Sequence, residues 1–347
     1  MIPDSIKISN DLSSELGRFF FDRKYSKVAV LVDENTERHC LPAINDLIPE
    51  HWLIQIKSGE VNKNLETCER IWGALTEASF DRHGLLINLG GGVIGDMGGF
   101  CAATYKRGID FINLPTTLLS QVDASVGGKL GIDFNELKNH IGLFKEPEMV
   151  LIAPPFLKTL PKAELRSGFA EVLKHCLIAD KDHWKDVVSN RWDDQDWEAV
   201  IQHSVGIKAS IVAEDPTEKG KRKLLNFGHT IGHAIETTFL NSEKHLLHGE
   251  AIAIGMICEA WLSFKKLELP KEQLNDVEGK LFEIFGKMDL GKAHYQRIAE
   301  LCTQDKKNQG NVINCTLLKS IGDGVINIPI SIGEVLDSLF YYDQLNE

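Results

Sequence analysis

Residues 85–100 read LLINLGGGVIGDMGGF, a short apolar run followed by a glycine-rich turn and the beginning of a helical pattern. The run Leu85–Leu89 is typical of a buried strand. Gly90, Gly92 and Gly95 have the spacing G-x-G-x-x-G. Before a helix, such a turn offers backbone N–H groups and the helix dipole to a pyrophosphate. The structural alternative is a turn that only packs a helix against a sheet.

Similar apolar runs flank this segment on both sides. They are residues 27–33, 53–56 and 111–114, and helical patterns such as 65–78 separate them. Strands that alternate with crossover helices form a parallel sheet covered on both faces. We therefore predict an N-terminal α/β domain in which the glycine turn follows the third strand. Asp33, at the end of the first strand, could bind a ribose diol and favours a cofactor site.

The pattern of the chain changes near residue 160, after the proline-marked segment APPFLKTLP. Amphipathic stretches of helical period dominate from there on. They cover residues 162–179, 194–213, 226–239, 249–267, 270–285 and 292–303. Residues 312–318 and 325–328 look extended, as a hairpin or as isolated pieces. We predict two domains, residues 1–160 and 161–347, of which the second is all-helical apart from these two segments.

The composition limits the classes of partner. The chain has 347 residues, with 38 Lys and Arg against 50 Asp and Glu and a formal net charge of −12. This balance offers no basic surface to nucleic acid or a membrane, so we expect neither as a partner. The seven cysteines never form C-x-x-C, which argues against a disulfide framework or a zinc ribbon. Since no segment approaches the roughly 18 apolar residues of a membrane span, we expect a cytoplasmic location.

A second turn of small residues follows the fourth predicted strand, in LPTTLLSQVDASVGGK (114–129). Thr116 and Thr117 end the strand, and Asp123 and Lys129 follow. The carboxyl ends of strands in open α/β sheets bind ligands, which makes these side chains candidates for a binding site. A solvated ion pair between Asp123 and Lys129 is the alternative.

Histidines mark the candidate metal site. His229 and His233 in LLNFGHTIGHAIE would share one face of a helix, and His248 begins the next helical stretch. Glu171 lies in an apolar helical stretch where an unpaired carboxylate would be costly, and it could supply an oxygen ligand. The structural alternatives are core histidines and an ion pair of Glu171 with Lys174.

Eight segments together resemble the 3-dehydroquinate synthase family, within the sugar-phosphate cyclase superfamily, over nearly the whole chain. They occur in family order and at family spacing. Their sequences are SGEVNK (58–63), GGGVIGD (90–96), LPTTLLSQVDASVGGK (114–129), LKN (137–139), KTLP (158–161), SGFAEVLK (167–174), KGKRKLLNFGHTIGHAIE (219–236) and HGEAIAIGM (248–256). The resemblance implies an N-terminal nucleotide-binding domain, a C-terminal helical domain and an active site in the cleft between them.

The resemblance also implies NAD and one divalent metal ion, usually Zn²⁺ with Co²⁺ as the other option, and a homodimer, which is common in the family. The implied metal ligands are Glu171, His229 and His248, which leaves His233 for the substrate and coordination positions open on the metal. The implied NAD contacts are Asp33, Asn35, Glu60, Lys63, Gly91, Gly92, Val93, Gly95, Asp96, Thr116, Thr117, Asp123, Lys129, Lys138, Thr159 and Leu160. The implied substrate and catalytic residues are Lys129, Asn139, Lys174, Lys208, Glu218, Arg222, Asn226, His233 and either Lys306 or Lys307.

The implied reaction converts 3-deoxy-D-arabino-heptulosonate 7-phosphate to 3-dehydroquinate and phosphate, in the shikimate pathway to chorismate and the aromatic amino acids. The C5 hydroxyl is oxidised transiently by NAD, phosphate leaves by β-elimination, the hydride returns, and the opened ring closes by an intramolecular aldol reaction. Either the substrate's own phosphate or His233 takes the C6 proton. Because the substrate carries a phosphate and a carboxylate, an acidic chain must gather Lys and Arg at one place.

Three alternatives have different chemical signatures. Another sugar-phosphate cyclase, of the 2-deoxy-scyllo-inosose or valiolone synthase type, would act on a substrate without the carboxylate. A metal-dependent polyol dehydrogenase would share the glycine turn and the histidines but release NADH stoichiometrically. A binding protein on the same scaffold would retain neither NAD nor metal.

Overall fold

The apolar runs around the glycine turn form one six-stranded parallel sheet. The computed structural model describes residues 2–135, 137–240, 242, 245–303 and 312–345. The strands of the sheet are β1 (Ile6–Ile8), β2 (Val28–Asp33), β3 (His51–Ile56), β4 (Leu85–Gly90), β5 (Asp110–Pro115) and β8 (Met149–Ile152), in the order β1-β8-β5-β4-β2-β3. Between β5 and β8 the chain forms a separate antiparallel hairpin of β6 (Lys129–Phe134) and β7 (Leu137–Phe144). The predicted α/β class with a parallel sheet is confirmed.

The chain divides into two compact units. The first unit comprises Met1–Pro161 and Trp197–Ala209, and the second comprises Lys162–Asp196 and Ser210–Glu347. The first unit contains the sheet, the β6–β7 hairpin and the helices α1 (Leu12–Phe21), α2 (Glu34–His39), α3 (Leu65–Glu77) and α4 (Gly92–Thr104). The helix α7 (Trp197–Glu214) contributes residues to both units.

In its described residues, the second unit is helical apart from one hairpin. Its helices are α5 (Lys162–Ala179), α6 (Lys181–Ser189), α8 (His229–Phe239), α9 (His248–Leu267), α10 (Lys271–Phe285), α11 (Tyr295–Thr303) and α12 (Ile332–Gln344). The two segments that looked extended are β9 (Ile313–Ser320) and β10 (Asp323–Ile330), which pair antiparallel. Within the part of the chain that the structure describes, none of the helices combines the length and apolarity of a membrane span.

Alternate residues of the central strands pack into two apolar clusters. Val30 on β2 and Ile87 on β4 belong to one cluster, and their neighbours Leu31 and Leu86 belong to the other. All four side chains are fully buried. A strand that is buried on both faces reads as a continuous apolar run, which is why the sequence pattern revealed these strands.

Some elements differ from the pattern-based prediction. The short strand β1 and the strand β8 were not predicted. Because β1 precedes the predicted strands, the glycine turn follows the fourth strand of the chain and not the third. The helical stretch predicted from residue 194 begins at Trp197, and the one predicted from residue 226 begins at His229 after a 3₁₀ segment, Lys221–Asn226. Helix α6 was missed because only Trp184 and Val187 anchor its nine residues in the core.

Candidate active site

The glycine turn joins β4 to α4 with its backbone amides uncapped by side chains. Helix α4 begins at Gly92, and its N-cap residue is Gly91, which has no side chain that could cap the helix. The turn packs against the end of β5, because the Thr116 N–H donates to the Gly90 carbonyl over 3.0 Å. A Cβ atom on Gly91 would lie 3.1 Å from the Thr117 methyl carbon. The first amides of α4 can therefore receive an anion, and both threonines lie beside them.

An open pocket lies over this turn. Its lining includes the predicted residues Gly91, Gly92, Gly95, Asp96 and Lys129. The other residues predicted to contact NAD, among them Asp33, Asn35, Thr159 and Leu160, are not among the described residues that line it. The roles of all the predicted NAD contacts stay predictions.

Lys63 connects three of the predicted segments. Its Nζ donates to Asp96 Oδ2 over 2.6 Å and to Asn139 Oδ1 over 2.6 Å, and the lysine is only 3% exposed. Burial alone would lower the pKa of Lys63, but the Asp96 carboxylate outweighs it and raises that pKa. Asp133 completes the group by accepting a hydrogen bond from the Asn139 backbone N–H at 2.7 Å. Asp133 was missed because nothing in its local sequence distinguishes it from a solvated turn residue.

Asp33 already has a structural role. Its Oδ1 accepts hydrogen bonds from the backbone N–H groups of Asn35 and Thr36, at 2.9 and 2.8 Å, and so caps α2. The carboxylate therefore lies at the carboxyl end of β2, where the sequence placed it, and its position is fixed by the helix that follows.

Asp123 pairs with Lys208. The distance from Lys208 Nζ to Asp123 Oδ1 is 2.9 Å, and the same ammonium also donates to the Asp123 carbonyl. Lys208 is buried, whereas Lys129 is exposed and lines the pocket over the glycine turn. Asp123 therefore contacts a residue of α7 within the first unit.

Glu171, His229 and His248 converge within the second unit. Glu171 Oε1 lies 3.3 Å from Nε2 of His229 and 3.4 Å from Nε2 of His248. This carboxylate oxygen is buried and has no hydrogen-bond partner among the described residues. The other oxygen, Oε2, accepts from Lys174 Nζ, so the predicted Glu171–Lys174 pair is present as well. One carboxylate oxygen and two imidazole nitrogens facing one point fit the ligand set of a divalent metal.

Second contacts fix the orientation of both imidazoles. His229 Nδ1 lies 3.0 Å from the Phe227 carbonyl, and His248 Nδ1 lies 3.3 Å from Glu236 Oε2. A carbonyl only accepts, so His229 Nδ1 carries the proton and Nε2 presents its lone pair to Glu171. Glu236 was missed by the sequence analysis, although it lies two helical turns after His229 on the same face of α8. Carboxylate and carbonyl partners of this kind are typical of metal-binding histidines.

The charges of the group also favour a cation. Burial opposes ionisation of Glu171, yet the Lys174 ammonium holds the pKa of that carboxyl well below its usual range. Burial lowers the pKa of His229, which keeps it neutral. Burial also opposes protonation of His248, but Glu236 and Glu171 outweigh it and raise its pKa to about 10. A metal ion binding there would displace that proton, because ligating imidazole is neutral.

Glycines allow the three helices to approach closely enough for this convergence. A Cβ atom on Gly249, next to His248 at the start of α9, would lie 2.0 Å from the Ser167 carbonyl oxygen of α5. A Cβ atom on Gly255 of α9 would lie 2.0 Å from the Gly228 carbonyl oxygen, next to His229. His248 and His229, two of the three predicted ligands, each adjoin a residue at a point of backbone contact that only glycine permits.

His233 lies beside the other two imidazoles. Its ring centroid is 5.0 Å from that of His229 and 5.8 Å from that of His248. Ligand atoms of the three histidines lie within 4.8 Å of one another. Together with Glu171, the three histidines offer four ligand atoms. His233 can contact either the ion or a bound molecule.

The segment DPTEKGKR (215–222) contains two predicted residues of the second unit, Glu218 and Arg222. The Asp215 carboxylate accepts from the backbone N–H groups of Lys219, Gly220 and Arg222, at 3.0, 2.7 and 3.1 Å. It was missed by the sequence analysis, although an Asp before Pro is a common turn signal. The turn orients buried Arg222, whose Nη1 donates to the Pro216 carbonyl at 2.7 Å.

Two further pairs of predicted residues are in contact or close to it. Asn226 donates to Glu218 Oε1 at 2.8 Å in the second unit, and Lys138 Nζ lies 4.0 Å from Glu60 Oε1 in the first. Lys306 and Lys307 lie outside the described residues.

The sequence is similar to one enzyme family along most of its length. Family models described as 3-dehydroquinate synthase N-terminal and 3-dehydroquinate synthase C-terminal match residues 53–167 and 168–308. The 3-dehydroquinate synthase of Parabacteroides distasonis is 42% identical over 347 residues, which cover 99% of this chain and 98% of the relative.

Two solved structures share the fold. A 2-deoxy-scyllo-inosose synthase complexed with carbaglucose-6-phosphate, NAD⁺ and Co²⁺ superposes with a TM-score of 0.84 at 23% identity, over 96% of this chain and 95% of that one. ValA, a 2-epi-5-epi-valiolone synthase from Streptomyces hygroscopicus subsp. jinggangensis 5008 with NAD⁺ and Zn²⁺ bound, has a TM-score of 0.85 at 24% identity, over 99% and 98%.

Proposed function

The chain belongs to the 3-dehydroquinate synthase family, and from that premise we propose which of its residues carry out the family's reaction. The enzyme converts 3-deoxy-D-arabino-heptulosonate 7-phosphate to 3-dehydroquinate and phosphate, a step of the shikimate pathway. The family match bears out this activity, which the sequence segments already implied.

We propose that Glu171, His229 and His248 bind one divalent metal ion, Zn²⁺ or Co²⁺. The observation that carries this assignment is the buried Glu171 Oε1, which has no hydrogen-bond partner among the described residues and faces two imidazole nitrogens at 3.3 and 3.4 Å. A carboxylate oxygen opposite a lone pair is unfavourable unless a proton or a cation lies between them. The two structural neighbours carry Co²⁺ and Zn²⁺, which supports the choice of metal.

NAD is proposed to bind over the glycine turn of the first unit. The uncapped amides at the start of α4 suit its pyrophosphate, and the pocket beside them contains Asp96 and Lys129. Lys63 holds Asp96 and Asn139 in fixed positions there. Both structural neighbours carry NAD⁺, which supports the same cofactor in this chain.

When bound, the metal supplies Lewis-acid chemistry and NAD a reversible hydride acceptor. The chain's own cations are proposed to bind the phosphate and carboxylate of the substrate. They are Lys129, Lys174, Lys208, Arg222 and one lysine of the pair Lys306 and Lys307. Asn139, Asn226 and Glu218 would orient polar groups of the substrate. His233, beside the metal ligands, either takes the C6 proton or positions the substrate phosphate that does.

An assay of 3-dehydroquinate formation tests the proposal. The heptulosonate phosphate and NAD are supplied with and without a chelator, and 3-dehydroquinate, phosphate and NADH are measured. We expect product and phosphate in equal amounts, no net NADH, loss of turnover on chelation and recovery with Zn²⁺ or Co²⁺. Full activity in metal-free protein would contradict the metal assignment.

The same assay separates the alternative enzymes. Phosphate release from glucose 6-phosphate, and not from the heptulosonate phosphate, would indicate an inosose-type cyclase. Steady accumulation of NADH during turnover would indicate a polyol dehydrogenase.

We also propose a cytoplasmic homodimer. All seven cysteines are free thiols, which suits a reducing compartment. The β6–β7 hairpin exposes apolar side chains, among them Leu137, Ile141 and Phe144, and a second subunit would remove them from water. Light scattering of the purified chain measures its mass in solution, and a monomer at micromolar concentration would contradict the dimer.

A further inference from the structure

A buried carboxylate of α9 contacts the beginning of α8. Glu259 is fully buried, and its Oε2 accepts a hydrogen bond from the Gly228 backbone N–H at 2.6 Å. Its Oε1 accepts from the Ile231 N–H at 3.2 Å. Gly228 is the N-cap residue of α8 and has no side chain that could satisfy these amides. The neighbouring helix therefore supplies the negatively charged cap that the start of α8 favours.

The contact with Glu259 extends to a metal ligand through one peptide group. The Gly228 N–H and the Phe227 carbonyl belong to the same planar unit, so fixing one fixes the other. That N–H donates to Glu259, and that carbonyl accepts from Nδ1 of His229 at 3.0 Å. The carboxylate thus sets the orientation of the carbonyl that selects the tautomer of His229.

We propose that Glu259 is a positioning residue for the metal centre, holding His229 through the Phe227–Gly228 peptide with Nε2 unprotonated and directed at the ion. The inference rests on the proposed ligand set of Glu171, His229 and His248. Hydrogen bonds in a chain polarise one another, so the negative charge of Glu259 also makes the imidazole a stronger donor to the metal.

The substitution Glu259→Gln tests this role without relying on activity. It keeps the size of the side chain, removes the charge and turns an NH₂ group toward one of the two backbone N–H groups. We expect the dissociation constant for Zn²⁺, measured by competition with a chromophoric chelator, to rise about tenfold, the lower end of the range for losing a direct partner of a metal-binding histidine, because Glu259 acts through the Phe227–Gly228 peptide. The visible absorption spectrum of the Co²⁺-loaded protein should shift as the ligand geometry loosens.

Glu278→Gln is the matched control. Glu278 is also a buried glutamate of the second unit, 6% exposed, and its Oε1 accepts from the Tyr341 hydroxyl at 2.7 Å. Its replacement should lower the unfolding temperature and leave both the Zn²⁺ dissociation constant and the Co²⁺ spectrum unchanged. If Glu259→Gln does not fold, Glu259→Asp takes its place, with a smaller but measurable rise in the dissociation constant expected.

An unchanged dissociation constant and spectrum in the Glu259 variant that folds would overturn the proposal and leave Glu259 as a helix cap alone. His229→Ala, measured in parallel, separates this result from a wrong ligand set. If His229→Ala loses the metal and the Glu259 variant keeps it, only the positioning role fails. If His229→Ala retains the metal, the proposed ligand set itself fails.

Discussion

The substitution Gly249→Ala should disrupt the metal site by forcing two backbones apart. Gly249 follows His248 at the start of α9, and an added Cβ atom would lie 2.0 Å from the Ser167 carbonyl oxygen, where real Cβ contacts are essentially never below 3.0 Å. The two segments must therefore separate by at least 1 Å. The hydrogen bond from the Gly249 N–H to Ser167 Oγ, 2.9 Å long, would lengthen with them.

The expected size of the effect follows from the tolerance of metal coordination. Bonds from zinc to nitrogen or oxygen are about 2.0–2.2 Å long and vary by only about 0.2 Å. His248 adjoins the displaced residue and Glu171 lies on the same helix as Ser167, so a 1 Å separation exceeds that tolerance. A misplacement of this size costs about 100-fold in turnover. Overpacking should also lower the free energy of unfolding by about 1–3 kcal/mol.

Metal content after gel filtration, the Zn²⁺ dissociation constant and turnover are measured on the variant. Gly279→Ala is the matched control, because Gly279 lies in α10 of the same unit and a Cβ atom there meets nothing within 4 Å. Alanine should stabilise that helix by about 0.5–1 kcal/mol and leave metal binding unchanged. A folded Gly249→Ala protein with stoichiometric metal and wild-type turnover would show that the glycine contact does not set the ligand geometry.

Three further substitutions test the residues proposed to bind the metal, the substrate and NAD separately. His229→Ala should lose metal and activity together, as metal analysis of the purified protein would show, and a metal-replete active variant would remove His229 from the ligand set. Arg222→Ala should raise the KM for the heptulosonate phosphate at least about tenfold, the cost of one charged hydrogen bond. Isothermal titration should show unchanged NAD affinity, and a selective loss of NAD affinity would mean that Arg222 binds NAD and not the substrate. Lys63→Met should weaken NAD binding about tenfold or more. The control Lys57→Met changes an exposed lysine nearby and should leave NAD binding unchanged. Equal effects of the two substitutions would refute a specific role for Lys63.

The strands of the sheet were predictable where burial acts on both faces. The runs that became β2, β4 and β5 are apolar throughout because each strand is covered on both sides. Strand β1 gave no such signal, since it has three residues, pairs only with β8, and finds that partner far along the chain. The hairpin β6–β7 was hidden because β7 is largely exposed and because Gly131 and Gly142 face each other across it.

Spacing along one helix predicted part of the proposed metal site but not the convergence of its residues. His229 and His233 share a face of α8 by periodicity alone, and that spacing could not choose which of them binds an ion. The approach of Glu171 and His248 depends on backbone contacts between three helices, at Gly249 and Gly255. Such contacts depend on residues distant in sequence, so only the family resemblance could suggest that set before the structure was known.

Buried ion pairs change how any lysine variant of this protein must be interpreted. Three lysines of the predicted sites already bind a carboxylate of their own unit, namely Lys63 with Asp96, Lys174 with Glu171 and Lys208 with Asp123. Removing one member of a buried pair leaves the other charge uncompensated and costs about 3–5 kcal/mol, while replacing both members is often neutral. A single change such as Lys208→Met therefore loses stability together with any ligand contact. The double variant Lys208→Met with Asp123→Asn removes the first effect. Because Asp123 is itself a predicted NAD contact, NAD affinity is measured as well, and a loss of substrate binding that persists with unchanged NAD affinity belongs to the Lys208 contact.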